Sequence, residues 1–229
     1  MDWFVTGTDT GVGKTVASVA LLHALRARGL RAAGMKPVAS GCENTAEGWR
    51  NEDALALLAA GDAALAYADV NPYALPHATA PQLAARDAGV AVALDPILAA
   101  HARLAALSDA RVVEGVGGWA APLADGLDQC ALARALGAGV VLVVGLRLGC
   151  LSHARLTARA VEADGCRLVG WIGNRVDPGF DRAEDYLGLL RDALPAPCLG
   201  VLAHAPGGDG VAAARGLDVA PLLSAAVVR

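Results

Sequence analysis

The length, composition and charge of this chain exclude several classes of protein. Its 229 residues carry 19 Lys and Arg against 23 Asp and Glu, so the formal net charge is −4. The chain therefore lacks the basic excess that binding to a nucleic-acid backbone requires. Hydrophobic residues make up 55% of the sequence, but the longest apolar stretch, 135–146, is shorter than the ~18 residues that span a bilayer. We expect no membrane segment, no signal peptide and a cytoplasmic location.

Apolar runs alternate with stretches of helical periodicity along the chain. Near-continuous apolar strands separated by helices are typical of a parallel sheet that is covered on both faces. We therefore predict a single doubly wound α/β domain over residues 1–229. In chain order the predicted elements are a strand at 2–8, a helix at 14–28, strands at 31–36 and 110–114, a helix at 127–136, a strand at 140–145, a helix at 152–164, a strand at 168–172, a helix at 181–193 and a strand at 198–202. Two loops rich in Pro or Gly, 71–80 and 206–210, are expected to be mobile.

Lysine is rare in this sequence. Of the 19 basic residues 17 are arginine, and the only lysines are Lys14 and Lys36. An ammonium is a compact charge, whereas a guanidinium is a planar fork, so the two are not interchangeable at a binding site. Both lysines are therefore candidate functional residues.

The first predicted strand leads directly into the sequence GTDTGVGKT at 7–15 and then into a helix. This context favours a phosphate-binding loop, because backbone N–H groups and the helix N-terminus then point at the anion. Lys14 would reach the terminal phosphates and the Thr15 hydroxyl would bind Mg²⁺. The strict pattern would place glycine at Thr8, whereas here it falls at Gly7, so the motif is a variant.

A site for Mg²⁺ and a triphosphate also needs carboxylates, because the metal is usually held by one or two acidic groups. Glu114 ends an apolar run and precedes a glycine-rich stretch, which predicts a carboxylate at the ligand-binding edge of the sheet. Asp53 lies at the head of a predicted helix. Taken alone, its position is better explained by the favourable interaction of acidic residues with a helix N-terminus.

Seven segments together resemble the dethiobiotin synthetase family, whose members form the ureido ring in biotin synthesis. They are GTDTGVGKT (7–15), GMKPVASG (34–41), RNEDALAL (50–57), VNPYALP (70–76), VEGVGGWAAPL (113–123), VVGLRLGCLSHARLT (143–157) and GWIGNRV (170–176). The resemblance implies a P-loop NTPase-like fold and the substrates 7,8-diaminononanoate, CO2 and ATP. One amine captures CO2 as a carbamate, the γ-phosphoryl group passes to a carbamate oxygen, and the second amine closes the ring and releases phosphate.

The resemblance also implies roles for individual residues. It assigns catalysis to Lys36, Lys14 and Thr10, and Mg²⁺ binding to Thr15, Asp53 and Glu114. The implied ATP contacts are Gly11, Val12, Gly13, Lys14, Thr15, Val16, Asp53, Glu114, Gly115, Val116, Gly117, Asn174 and Arg175. The implied substrate contacts are Ser40, Lys36, Gly149, Cys150, Leu151, Ser152 and Tyr186.

The sequence departs from the family pattern at several positions. Gly11 stands where many members carry an acidic residue that folds over the nucleotide, and Val116 replaces the usual alanine of E-G-A-G-G. Residues 202–206 lack the expected Ile-Pro pattern near the base. Ser152 stands where the family often has asparagine.

The resemblance further implies a homodimer in which the site is shared between subunits. Residues 148–152 and Tyr186 would then approach the substrate carboxylate of the partner's site. Ser152 is expected to be the N-cap of the helix at 152–164, so that the first-turn N–H groups can receive a carboxylate. The alternative is that Ser152 only caps its helix and that Tyr186 only packs in the core.

Three other functions are compatible with parts of this pattern. A partitioning or septum-positioning ATPase would carry an extra lysine early in the phosphate-binding loop, where this chain has Asp9. An amidating enzyme that activates a carboxylate by phosphorylation would usually add a glutaminase domain. A binding module with a degenerate nucleotide site would not need Lys14, Thr15 and Glu114 together.

Overall fold

The computed structural model describes residues 1–62, 65–205 and 210–227. Its strands are β1 (Asp2–Gly7), β2 (Ala32–Met35), β3 (Val38–Ser40), β4 (Glu43–Thr45), β5 (Gly48–Arg50), β6 (Tyr73–Leu75), β7 (Ala110–Gly118), β8 (Pro122–Ala124), β9 (Leu127–Asp128), β10 (Gly139–Gly145), β11 (Leu168–Asn174) and β12 (Cys198–Leu202). Its helices are α1 (Lys14–Arg26), α2 (Glu52–Ala60), α3 (Tyr67–Val70), α4 (Pro81–Asp87), α5 (Leu94–Leu107), α6 (Gln129–Ala135), α7 (Cys150–Ala163), α8 (Ala183–Ala193), α9 (Gly210–Ala214) and α10 (Ala220–Val227).

A parallel sheet of six strands, in the order β12-β11-β10-β1-β7-β2, forms the centre of the described structure. After β1 the chain runs to β2 at one edge and returns to β7 beside β1, and it then crosses to β10 on the other side of β1 and continues outward through β11 and β12. The strand order therefore reverses between β1 and β10, which is where open α/β sheets bind ligands. The predicted doubly wound fold is confirmed.

Apolar side chains are buried on both faces of the sheet, as the continuous apolar strands predict. In β10, Val141 and Val143 belong to the cluster that includes α1 and α5, whereas Leu142 and Val144 belong to the cluster with α7 and α8. This alternation is the period of two of a strand with both faces buried. None of the helices within residues 1–62, 65–205 and 210–227 is long and apolar enough to cross a membrane.

The structure corrects the predicted start of α7. The helix begins at Cys150, and its N-cap is Gly149 with φ 94° and no side-chain hydrogen bond, so Ser152 is not the N-cap. Glycine adopts this left-handed backbone without the steric cost that other residues meet. Because the helix already begins at Cys150, Ser152 lies inside its first turn and is exposed there.

Other boundaries also differ from the prediction. The strand that contains Glu114 continues to Gly118, so Glu114 is not its last residue. The helix predicted at 127–136 covers only 129–135, because Asp128 accepts a hydrogen bond from the amide of Ala131 and acts as its N-cap. The predicted loop 71–80 contains β6, which pairs with β3. Residues 206–209 of the second predicted loop lie outside the described residues, and residue 210 begins α9.

Candidate active site

The loop after β1 has the geometry of a phosphate-binding loop. Gly13 is the N-cap of α1 with φ 83°, and a Cβ there would lie 2.0 Å from Asn174 Nδ2. Only glycine fits that position. Lys14 is the first residue of α1, and its buried Nζ donates to the Asp9 carbonyl at 3.0 Å. The loop therefore holds its lysine at the helix N-terminus, where an anion is stabilised.

Contacts from two other strands hold this loop in place. Asn174, at the end of β11, is buried, and its Nδ2 donates to the Val12 carbonyl at 2.9 Å. Arg147, just after β10, pairs with Asp9 at 2.8 Å between Nη2 and Oδ2, and Asp9 Oδ1 accepts from the amide of Thr10 at 2.7 Å. The amide of Asn174 thus supports the loop backbone. This is a contact that the resemblance did not imply.

Four functional side chains from four parts of the sequence meet beside the loop. Thr15 Oγ1 lies 2.7 Å from Asp53 Oδ1 and 2.9 Å from Glu114 Oε1, so its single proton is within donating distance of both carboxylates. Lys36 Nζ donates to Asp53 Oδ2 at 2.7 Å and to Glu114 Oε1 at 2.6 Å. Lys36 follows β2, Glu114 lies on β7 and Asp53 lies in the first turn of α2. The parallel sheet places all of them at its carboxyl edge, so this part of the predicted site is brought together.

The charges in this cluster determine one another's protonation. Burial alone would lower the pKa of Lys36, but the facing carboxylates of Glu114 and Asp53 hold that pKa above its ordinary value. Burial opposes ionisation of Asp53 as well, yet Lys36 outweighs it and the pKa of Asp53 is lowered. Burial lowers the pKa of Lys14, and repulsion by Lys36 acts in the same direction. Lys36 is therefore an ammonium, paired with an ionised Asp53, at neutral pH.

The oxygen atoms of this cluster fit Mg²⁺, which prefers oxygen ligands. Glu114 Oε2 is buried and has no hydrogen-bond partner among the described residues, although a buried carboxylate oxygen is normally satisfied. The Thr15 hydroxyl and one oxygen of Asp53 lie within the same cluster. Mg²⁺ commonly uses one or two carboxylates together with phosphate oxygens and water, and Asp53 and Glu114 supply two carboxylates here.

A cavity of about 500 Å³ is bordered by the loop and by the end of β7. Thr10 and Ser40 contribute hydroxyl groups to its wall, and Val116, Gly117 and Gly118 contribute the end of β7. The remaining wall comes from the segment between β6 and α4 and from the turn before β8, namely Ala78, Thr79, Ala80, Pro81, Ala121 and Pro122. Small apolar groups with a few hydroxyls suit an aliphatic chain that carries polar ends.

A smaller cavity of about 260 Å³ lies next to Val16. Its wall is formed by small and apolar residues, namely Val201, Leu202, Ala203, Ala205, Ala212, Ala213 and Gly216. Arg175, an implied ATP contact, places its guanidinium against Glu184 and its carbonyl 3.1 Å from His204 Nδ1. Gly11, with φ 73°, is exposed on the loop and has no side chain to cover a nucleotide.

The implied carboxylate-binding residues do not meet the rest of the site within one chain. Residues 149–152 follow β10, which is separated from β2 and its Lys36 by β1 and β7. The distance corresponds to three inter-strand spacings of about 4.8 Å each. Tyr186 lies on α8, beyond β11, and packs edge-to-face on Phe180 with ring centroids 4.8 Å apart. One chain alone therefore leaves this group apart from Lys36.

Tyr67 and Asn71 also support the cluster, and sequence reasoning missed both. The Tyr67 hydroxyl accepts from the amide of Asn51, the N-cap of α2, at 2.8 Å and donates to Asn71 Oδ1 at 3.0 Å. Asn71 Nδ2 donates to the Lys36 carbonyl at 2.7 Å. These bonds tie the helix that carries Asp53 to the segment that carries Lys36. Asn71 lies within the segment VNPYALP (70–76) and Tyr67 lies just before it. The resemblance therefore pointed to this part of the chain, but it did not indicate that these two residues support the cluster.

The fold and this site define a class, the P-loop α/β proteins. A protein-family model described as an AAA domain matches residues 2–207. The MinD cell division protein from Aquifex aeolicus superposes with a TM-score of 0.55 at 16% identity, covering 95% of this chain and 87% of that one. The Aquifex aeolicus MinC:MinD complex gives a TM-score of 0.54 at 15% identity, covering 95% and 87%. At these identities the likeness shows the fold alone.

Sequence comparison identifies the family within that class. The ATP-dependent dethiobiotin synthetase BioD of Xanthomonas euvesicatoria pv. vesicatoria (strain 85-10) is 60% identical over 217 residues, covering 95% of this chain and 97% of that protein. The protein of the same name from Xylella fastidiosa (strain 9a5c) is 61% identical over 206 residues, covering 90% and 91%. The chain belongs to the ATP-dependent dethiobiotin synthetase family, and the resemblance found in the sequence is confirmed.

Proposed function

We propose that this chain forms dethiobiotin from 7,8-diaminononanoate, CO2 and ATP. The observation that carries the proposal is the position of Lys36, a buried ammonium held between Asp53 and Glu114 beside the phosphate-binding loop. A fixed cation at this point can balance the negative charge of a carbamate next to the terminal phosphate. The names of the relatives at about 60% identity support the same activity.

The phosphate-binding loop would hold the triphosphate of ATP. The backbone amides at the start of α1 and the Lys14 ammonium would bind the β- and γ-phosphates. Asn174 keeps the loop backbone in this form through Val12. Phosphoryl transfer depends chiefly on such positioning and charge neutralisation. The apolar cavity beside Val16 would take the base.

The diamine would lie in the cavity lined by Thr10 and Ser40. One amine nitrogen attacks the carbon of CO2 and loses a proton, which gives a carbamate anion that Lys36 stabilises. A carbamate oxygen then attacks the γ-phosphorus, and the bond from that phosphorus to the bridging oxygen of ADP breaks. The second amine attacks the carbamate carbon, loses a proton, and expels phosphate as the ring closes.

Thr15, Asp53 and Glu114 would hold Mg²⁺ with the phosphate oxygens of ATP. When bound, the metal ion neutralises charge on the β- and γ-phosphates. The three side chains already converge, since the Thr15 hydroxyl bonds both carboxylates. Lys36 shares the same two carboxylates and would turn its ammonium toward the carbamate.

We infer that the enzyme is a homodimer with a shared active site. Ser152 and Leu156 are four residues apart and so lie on one side of α7, and Leu148 lies just before the N-cap of that helix. Leu148 is 80% exposed and Leu156 is 59% exposed, while Leu189 on α8 is 52% exposed. Exposed apolar side chains grouped around Ser152 and Tyr186 favour an interface at this place. A partner would then bring these residues to the Lys36 site that their own chain cannot reach.

The first turn of α7 supports a role in carboxylate binding even though Ser152 does not cap it. No side chain caps this N-terminus, and no acidic residue lies in its first turn. A substrate carboxylate from the partner's site would complement the helix dipole there. Residues 1–229 would act as one domain in each subunit. All five cysteines are free thiols, which is compatible with a reducing compartment such as the cytoplasm.

Phosphate release from ATP tests the proposed function against a regulatory ATPase. Release should require both the diamine and CO2, and dethiobiotin should form in equal amount. Release that does not depend on the diamine would instead favour a nucleotide switch such as a septum-positioning ATPase. The likeness to MinD concerns the fold alone, and Asp9 here occupies the position where such ATPases carry their extra lysine.

A further inference from the structure

Gln129 is a completely buried polar residue outside every motif identified in the sequence. It is the first residue of α6, and its side chain reaches the end of β7. Gln129 Oε1 accepts from the Val116 amide at 2.9 Å, and Nε2 donates to the Val116 carbonyl at 2.7 Å and also to the Gly118 carbonyl. The carboxamide thus pairs with Val116 through both of its polar groups, as a neighbouring strand would.

The backbone needs this partner because β7 loses its register with β1 at this point. Val5 pairs with Glu114, but the next pair joins Gly7 to Gly118, so β7 carries two more residues than β1 over the same step. Residues 115–117 therefore bulge from the ladder. Buried backbone groups left without partners are costly. Gln129 supplies those partners from outside the sheet.

The bulge forms part of the wall of the cavity that contains Thr10 and Ser40. Gly117 has φ 64°, and a Cβ there would lie 3.7 Å from Thr10 Oγ1. Gln129 also leaves no room for a side chain at residue 115, because a Cβ at Gly115 would lie 2.0 Å from Gln129 Oε1. The carboxamide therefore sets both the path of the bulge and one side of the cavity.

We propose that Gln129 is a positioning residue for the diamine substrate, acting through the bulge at residues 115–118. It touches neither nucleotide nor reacting atoms in this scheme. The inference rests on the proposed function only in naming the diamine as the occupant of the cavity. The positioning of the bulge by Gln129 is a separate statement that can be measured without any substrate.

The first experiment measures amide hydrogen exchange in the free protein. Gln129→Met keeps an unbranched side chain of similar length but removes the carboxamide, and Cys130→Ala changes the adjacent residue of the same helix as a matched control. Exchange at residues 115–118 should be faster in Gln129→Met than in the parent, while β10 and the Cys130→Ala protein stay at parent rates. Parent-like exchange at 115–118 in Gln129→Met would overturn the positioning role.

The second experiment measures KM for the diamine and for ATP separately. In Gln129→Met the diamine KM should rise about tenfold, since a displacement of ~1 Å in positioning groups costs up to ~100-fold, while the ATP KM should rise less, because most of its implied contacts lie on the phosphate-binding loop outside the bulge. A merely structural role would lower the folded fraction and leave both KM values unchanged, which would contradict the proposal. If the parent protein itself makes no dethiobiotin, the proposed function fails, and the exchange experiment still decides the role of Gln129.

Discussion

Lys36 Nζ lies 2.6 Å from Glu114 Oε1, and the two side chains are only 4% and 0% exposed. A charge removed from water in this way is costly unless it is paired. Because burying this pair is costly, we infer that the site needs both the ammonium and the carboxylate in a fixed arrangement. Asp53, which is 40% exposed, joins them from the open side. The chain thus holds a buried cation at the mouth of its phosphate-binding loop.

Replacement of Lys36 tests whether its compact charge matters. We expect Lys36→Arg to lower kcat nearly as much as Lys36→Ala, by about 100-fold or more for a lost charge-stabilising group. The guanidinium is larger and planar, and the buried space between Asp53 and Glu114 is shaped for an ammonium. Dethiobiotin formation per folded protein, with folding checked by circular dichroism, is the measurement. Turnover of Lys36→Arg near the parent value would show that any cation suffices there.

Lys14→Ala and Thr15→Val should abolish turnover and leave the fold intact. Both changes remove contacts to phosphate or metal, and neither removes apolar core volume. Product formation and circular dichroism should therefore separate, with near-zero product and a parent-like spectrum. Thr157→Val, the same replacement on α7, is the matched control and should retain activity. A Lys14→Ala protein with more than about a tenth of parent activity would contradict the phosphate-binding assignment, because such groups are commonly worth 10²-fold or more.

Base selection should be weak. Gly11 offers no side chain, and the cavity beside Val16 is lined by small and apolar residues, whereas the loop residues expected to bind the triphosphate, Lys14 and Thr15, are present. We expect GTP, CTP and UTP to support kcat/KM within about tenfold of ATP, a difference of ~1.4 kcal/mol. Parallel assays with the four nucleotides provide the measurement. Strict dependence on ATP would place base selection on backbone groups near Asn174 or on residues 206–209, which lie outside the described structure.

The shared active site is tested by kinetics and by mixing subunits. Tyr186→Phe should raise the diamine KM with little change in kcat, the pattern expected when binding is lost equally in the ground and transition states. Mixing Lys36→Ala subunits with subunits altered at both Ser152 and Tyr186 should restore activity that neither variant has alone, since one site of each hybrid dimer is then whole. A fully active monomer by light scattering at assay concentration would contradict this arrangement.

The residues that carry charge chemistry could be predicted from the sequence, because their position follows from topology. Lys36 and Glu114 lie on or next to predicted strands, Lys14 begins the helix that follows the first strand and its loop, and parallel strands bring such positions to one edge. The metal role of Asp53 was not separable from a helix-dipole role until the Thr15 hydroxyl was found 2.7 Å away. The fold class followed from the alternation of apolar strands and helices.

Local backbone geometry was harder to predict. Ser152 fits the residue preference for an N-cap, but the left-handed Gly149 starts the helix earlier. Gln129 gave no signal, since its partners are backbone atoms of a bulge whose register shift depends on the pairing of β7 with β1. The pairing of β3 with β6 was missed because each strand has only three residues. Such features depend on contacts between distant segments rather than on local pattern.

The most direct test of the central claim is the fate of oxygen from CO2. The reaction is started with ¹⁸O-labelled CO2 in unlabelled water and stopped before hydration exchanges the label, and the released phosphate is analysed by mass spectrometry. If the carbamate oxygen attacks the γ-phosphorus at this site, each phosphate released with dethiobiotin should carry one ¹⁸O atom from CO2. Phosphate without label, formed alongside dethiobiotin, would mean that water and not the carbamate receives the phosphoryl group, and would contradict the account.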